Sequence, residues 1–229
     1  MPAGIQIRND NGTLQIDGVS QHMVLLRSGV ATTGALSNSR GDVACSTCQI
    51  AQNGNEILAI QAGVPFSIAG RYGGNTTVNI FGAGAGYQFS YWVFGGYTPS
   101  GDNFGILLKD GNGTPIWDSG RPPMRVIGDV AGLGDFTVGQ AGRSYALAVQ
   151  LQYGQLVRQR QAIGTDQMLI QTVYAGFASI NGQAVHVENT DYLAEVVGPI
   201  ASSAVPDSWD GTWANNLQNT YTVLDVTHY

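Results

Sequence analysis

Few side chains in this sequence are equipped for chemistry. The only two cysteines form Cys45-Ser46-Thr47-Cys48. Two thiolates at that spacing supply half the donors of a tetrahedral zinc site, and no histidine lies nearby to complete it. A redox Cys-x-x-Cys opens a helix in a βαβ unit, whereas this one sits between β-like runs. The pair reads as two reduced thiols acting as small apolar side chains, with a two-residue disulfide loop or a metal shared across subunits as the alternatives. His22, His186 and His228 lie far apart, and His186, between Val185 and Val187 in a predicted hairpin, reads as a cross-strand surface histidine. Asp110-Gly111-Asn112-Gly113-Thr114 alternates oxygen donors as a calcium loop does. Its sixth position is Pro115, where an EF-hand needs glycine, so a hairpin turn accounts for it better. There is no Gly-x-Ser-x-Gly elbow, and Gly82-Ala83-Gly84-Ala85-Gly86 lacks the spacing and the following helix of a phosphate loop. Nothing selects a pair of carboxylates for acid–base work. The expectation is a protein without catalytic residues, resident metal or cofactor.

The best binding candidate is Pro206-Asp207-Ser208-Trp209-Asp210-Gly211-Thr212-Trp213. Trp209 and Trp213 flank an Asp-Gly turn, and Asp207 and Asp210 are acceptors beside them. Two indoles so placed either stack on a sugar ring or anchor a subunit interface, where tryptophan is enriched. The interface is the preferred reading of Trp209, Asp210 and Trp213.

Those residues sit in a chain of 229 residues, long enough to bury a core without staples. Only 11% of the residues are charged, about half the usual share, while 32 are glycine. Lys109 is the sole lysine beside nine arginines, and the net charge is −6. No basic patch able to neutralise several phosphates follows from that inventory, so nucleic acid is not an expected partner. The N-terminus shows no apolar h-region, and the longest uncharged stretch, Tyr72–Gly101, is broken by Gly82, Gly84, Gly86, Gly95, Gly96 and Pro99. Neither a secretion signal nor membrane insertion is expected.

The elements that must position these side chains are strands. Tyr145, Leu147, Val149, Leu151 and Tyr153 alternate with Ala146, Ala148, Gln150 and Gln152, the period of a half-buried strand. Tyr87–Phe94 alternates with large side chains on both faces. Met168–Phe177 reads as a long strand leading to Asn181-Gly182, placed for a type I′ turn, with Gln183–Val187 returning. Shorter runs fall at Val43–Ile50, Ile57–Gln61, Val78–Phe81 and Thr220–Thr227. No window carries a helical stripe. The fold class is all-β, with antiparallel β-sandwich-like modules.

An internal repeat organises the chain. Gly4–Asp17 aligns without gaps on Gly105–Asp118, with six of fourteen positions identical. Each copy reads as a hairpin with an Asn-Gly turn, at Asn11-Gly12 and Asn112-Gly113, followed by a third strand, Val24-Leu25-Leu26 or Arg125-Val126-Ile127. The repeat marks two β-modules, 1–103 and 104–229, joined through Thr98–Asn103; one continuous β domain is the alternative.

The same segments carry a resemblance. Gly4-Ile5-Gln6-Ile7-Arg8-Asn9-Asp10-Asn11-Gly12-Thr13-Leu14-Gln15-Ile16-Asp17 resembles the start of a family of small bacteriophage tail proteins, encoded near tail-tip and tail-fibre genes. Phe104-Gly105-Ile106-Leu107-Leu108 through Asp118-Ser119-Gly120-Arg121-Pro122-Pro123-Met124-Arg125-Val126 is similar to a second pattern of that group. The resemblance spans residues 1–30 and 87–130. It implies a virion structural role at the tail tip, baseplate or tail-fibre attachment region, with assembly in the bacterial cytoplasm. Few charges guard the strand edges, so a symmetric oligomer is expected, its partners other tail proteins and copies of itself. The alternative is a carbohydrate-binding adhesin or receptor-binding module that contacts a host surface glycan or protein.

Overall fold

The computed structural model describes residues 7–8, 14–16, 22–34, 36–38, 45–101, 105–163, 166–201, 211–216 and 218–229. Among them the regular elements are strands, as the period-two patterning requires. The first half of the chain carries β1 (Ile7–Arg8), β2 (Leu14–Ile16), β3 (Val24–Thr32), β4 (Leu36–Asn38), β5 (Cys45–Ala51), β6 (Ile57–Gln61), β7 (Phe66–Tyr72), β8 (Asn75–Phe81) and β9 (Gln88–Gly95). The second carries β10 (Leu107–Lys109), β11 (Pro115–Asp118), β12 (Val126–Ala131), β13 (Gly134–Thr137), β14 (Tyr145–Leu151), β15 (Gly154–Ile163), β16 (Asp166–Asn181), β17 (Ala184–Ala201), β18 (Gly211–Asn216) and β19 (Thr220–Asp225).

Two antiparallel sheets pack face to face. The first runs β12-β19-β14-β6-β9-β3 and the second β13-β17-β16-β7-β8-β5-β4. Alternation fills the space between them. Leu58, Ile60, Phe89, Val93, Leu147 and Val223 of the first sheet pack in one cluster with Phe66, Val78, Ile80, Ala178, Ile180 and Val187 of the second. Burying each of these larger side chains contributes about 1.5–3 kcal/mol. The opposite face of the first sheet is buried as well. Ala59, Trp92, Phe94, Ala146, Ala148 and Leu224 form a second cluster there, with Met23, Leu25, Met124 and Tyr229 against it. That second cluster explains why β9 is bulky on both faces.

The hairpin-plus-strand duplication is present in the pairing register. Ile7 faces Ile16 and Arg8 faces Leu14, with a slip between Ile7 and Arg8. Leu108 faces Trp117 and Lys109 faces Pro115, with the slip between Leu108 and Lys109. The third strands agree: β3 slips on β9 between Leu25 and Arg27, and β12 slips on β19 between Val126 and Gly128. The correspondence then runs past the aligned sequence. Leu58 faces Val93 as Leu147 faces Val223. The Gln52 amide donates to the Gly74 carbonyl at 2.8 Å, and the Val138 amide to the Gln183 carbonyl at 2.9 Å. Equivalent strands also meet: β6 pairs with β14 through Ala59 and Ala148, and β7 with β16 through Phe66 and Ala178. Antiparallel pairing of equivalent strands is what a local two-fold axis generates. Both halves therefore supply strands to both sheets and side chains to one core. The expected division at 103/104 lies outside the described residues.

One turn differs from expectation. In the β16–β17 hairpin Asn181 faces Ala184, so the central residues are Gly182 and Gln183. Only Gly182 has a positive φ, 57°, whereas a type I′ turn needs two. Asn181 is the last strand residue, so the turn begins one residue later than the sequence pattern put it.

Candidate functional site

The β16–β17 hairpin is longer than the sandwich requires. Its inner part, Gly176–Asn181 against Ala184–Asn189, lies in the second sheet, where Phe177, Ala178 and Ile180 are buried. Its outer part, Asp166–Ala175 against Thr190–Ala201, runs beyond it and gains two further strands. β15 pairs with β16 from Gly154–Ala175 to Ile163–Asp166, and β18 pairs with β15. The result is a four-stranded arm, β17-β16-β15-β18. At about 3.3 Å per residue, β16 is roughly 50 Å long.

The described apolar side chains of the arm are mostly half-buried, not buried. Leu156 and Val157 are successive residues on opposite faces, and both are half-buried, as are Met168 and Ile170. Leu169 is the one buried apolar side chain of the arm among the described residues. The surface so presented is aliphatic and amide-rich; Arg158 donates from Nε to Gln171 Oε1 at 3.0 Å.

A buried carboxamide fixes the root of the arm. Asn219 accepts from the Tyr153 amide at 2.8 Å and donates to Asn189 Oδ1 at 2.7 Å. Its own carbonyl accepts from the Gly132 amide at 3.0 Å. Gly176 packs under it: a Cβ there would overlap the Asn219 carboxamide, and the Gly176 amide donates to the Tyr153 carbonyl at 2.9 Å. Tyr153, Gly176, Asn189 and Asn219 thus lock four segments where arm meets sandwich. Sequence reading missed this group. Its members are scattered over 66 residues, and no motif links them.

The residues singled out from sequence fall as follows. Trp209 and Asp210 lie outside the described residues, as do Asn11 and Gly12. Gly211 and Trp213 belong to β18, with Trp213 opposite Leu156 in the register, so this end of the expected turn is a strand of the arm. Asn112 and Gly113 form the β10–β11 turn: the Gly113 amide donates to the Asp110 carbonyl at 3.0 Å, and Gly113 has a φ of 83°. The Asp110 carboxylate accepts from the Asn112 and Thr114 amides, both at 2.8 Å. That hydrogen bonding is hairpin geometry, as expected.

Asp118 closes the hairpin and ties it to the segment joining the halves. Its carboxylate accepts from Tyr97 Oη, the Ser100 amide and the Gly120 amide, each at 2.9 Å. Burial pushes this carboxyl up, but the Ser100, Tyr97 and Gly120 donors outweigh it and hold it below the usual carboxylate range. Cys45 and Cys48 form no disulfide and lie on opposite faces of β5; Cys45 packs with Phe81 and Phe177, and burial pushes the Cys48 thiol up. His186 is the cross-strand surface residue expected. It faces Asp135 of β13, with Nδ1 2.6 Å from the carboxylate, and Glu188 lies 3.6 Å from Nε2. The Asp135 hydrogen bond raises the imidazole pKa against partial desolvation.

The fold and this geometry define a duplicated antiparallel β-sandwich bearing a β-arm. No protein-family model, curated protein or solved structure matches the chain.

Proposed function

We propose that this protein is a structural component of a bacteriophage tail, at the tip, baseplate or fibre-attachment region, and that it assembles as a symmetric oligomer through its β-arm. The observation that carries the reading is the arm. The central strands of the arm, β15 and β16, carry half-buried aliphatic side chains, and such a sheet gains most by packing against a copy or a neighbour. The hairpin segments Gly4–Asp17 and Gly105–Asp118, with their likeness to small tail proteins, support the phage assignment. A long arm rooted in a rigid sandwich also suits a subunit that must reach across a ring or a tube.

The test is proteomic. Mass spectrometry of purified virions is expected to find the chain at a fixed stoichiometry with other tail proteins. Absence from virions, with a monomer in light scattering, contradicts the proposal. Virions carrying Trp213→Ala separate the assembly role from the receptor-binding alternative. Reduced particle yield supports assembly, whereas normal yield with impaired adsorption supports receptor contact.

A further inference from the structure

The two halves act as controls for one another, and one place shows them diverging. β6 and β14 pair only around Ala59–Ala148 and Ile60–Leu147. Past that point a cleft of about 480 Å³ opens, within the range of small-molecule sites. Its apolar wall is Ile57, Met124, Val126 and Leu224. Its polar wall is a linked group: Asp129 Oδ1 accepts from Thr222 Oγ1 at 2.9 Å and from Gln150 Nε2 at 3.0 Å, and Gln150 also donates to Thr222. Arg71 reaches the cleft from the second sheet. It is exposed, and its side chain has no hydrogen-bond or ion-pair partner among the described residues.

The register names the equivalent of each residue. Asp129 faces Thr222 as Ser28 faces Trp92, and Val126 faces Leu224 as Leu25 faces Phe94. Arg71 faces Thr76 as Ile180 faces Val185. In the related place, then, two aromatic rings stand where the cleft has Thr222 and Leu224. Trp92 and Phe94 are buried there, with the Phe94 and Tyr229 ring centroids 6.0 Å apart. Ile180 is a core residue, and its counterpart is the guanidinium of Arg71. One copy fills the space with rings, and at the register position of Arg71 it has an isoleucine packed in the core between the sheets. The other leaves the space open, lines it with aliphatic groups and puts a cation at its edge.

We propose that this cleft binds a small amphipathic carboxylate. The aliphatic body lies on Ile57, Met124, Val126 and Leu224, and the carboxylate accepts from Arg71. Asp129, with one oxygen taken by Thr222 and Gln150, offers the other to a donor on the ligand. Among the described residues no aromatic side chain lines the cleft, so they offer no stacking surface of the kind a sugar site uses.

Calorimetry on the full chain tests this with decanoate and its neutral analogue decanol as probes. Decanoate is expected to bind one to one. Arg71→Gln, at an exposed position, weakens decanoate about tenfold or more by removing a charged hydrogen bond, and leaves decanol unchanged. Thr222→Trp, which copies Trp92, abolishes binding of both probes at an unchanged melting temperature. Should that variant fail to fold, Thr222→Leu is expected to weaken both. No saturable heat with decanoate, equal decanoate affinity in Arg71→Gln, or full affinity in a folded Thr222→Trp protein overturns the assignment. A peptide ending in leucine that binds tighter than decanoate also overturns it, in favour of a partner segment.

Discussion

The two halves of the sandwich share a register and differ in what they do with two loops. In the first half β6 and β7 are joined by Ala62–Pro65, and β8 and β9 by Gly82–Tyr87. In the second half the corresponding places hold β15 with the outer part of β16, and the outer part of β17 with β18. A core shared by both copies constrains the strands that build it. Loops at the end of a sandwich carry no such constraint, and new structure grows there. The arm is therefore the part of the molecule most free to take on a role of its own, and the sandwich is the frame that roots it.

The largest difference between the halves is expected at the arm's root. Gly176→Val forces the Asn219 carboxamide aside and strips the Tyr153 amide and Asn189 of their partner. The expected loss is about 3 kcal/mol or more, read from urea unfolding. The first half has Phe66 at the register position of Gly176, so a side chain is tolerated there without Asn219. Asn219→Ala keeps the space and removes the bonds, and should cost about 2 kcal/mol with faster amide exchange in β15 and outer β16 than in β6 and β9. Equal exchange in all four strands would mean the root does not set the arm's order.

Acid should separate the halves next. Arg143 meets Asp225 at 2.7 Å in the second half, and Arg27 meets Glu56 at 2.8 Å in the first. Burial raises the Asp225 carboxyl, but the Thr227 donors and Arg143 outweigh it, so its folded pKa is depressed. Stability from such a group is present above its unfolded value, near 3.8, and is lost as pH falls through the folded pKa. Asp225 is nearly fully buried, so Asp225→Asn is expected to cost about 1–2 kcal/mol at neutral pH and to flatten the acid limb of the stability curve. Glu56→Gln should do less, because the Glu56 side chain is 10% exposed against 2% for Asp225, while the two arginines are about equally open to water.

The smallest effect belongs to His186 and Asp135. The folded imidazole pKa is raised above 6.5, so the pair's contribution is complete below that value and fades as pH rises through the folded pKa. The side chains are exposed, so the shift in melting temperature between pH 5 and pH 9 is expected to be small and absent in His186→Gln.

Much of the sandwich was legible because its strands alternate cleanly: Ile57–Gln61 was read to the residue, and Tyr145–Leu151 nearly so. The duplication was legible only at its start. The gapless alignment breaks when loops of unequal length change the spacing, so Leu58 and Leu147, or Val93 and Val223, no longer stand at the offset of Ile7 and Leu108. β15 stayed hidden for a different reason. Gln155, Arg158, Gln159, Arg160 and Gln161 give no apolar face, and among the described residues of the arm Leu169 is the one buried apolar side chain to pattern against. The Asn219 clamp was illegible because a buried carboxamide is defined by partners that only the fold brings together.

The most direct measurement removes the arm. A variant in which 152–175 is replaced by Ala62-Gly63-Val64-Pro65, and 190–219 by Gly82–Tyr87, gives the second half the loops of the first. Light scattering on the intact chain is expected to show a symmetric oligomer, and on the trimmed sandwich a folded monomer with native β-sheet circular dichroism. An intact chain that is monomeric and absent from virions, or a trimmed sandwich that assembles as fully as the parent, contradicts the assignment of assembly to the arm.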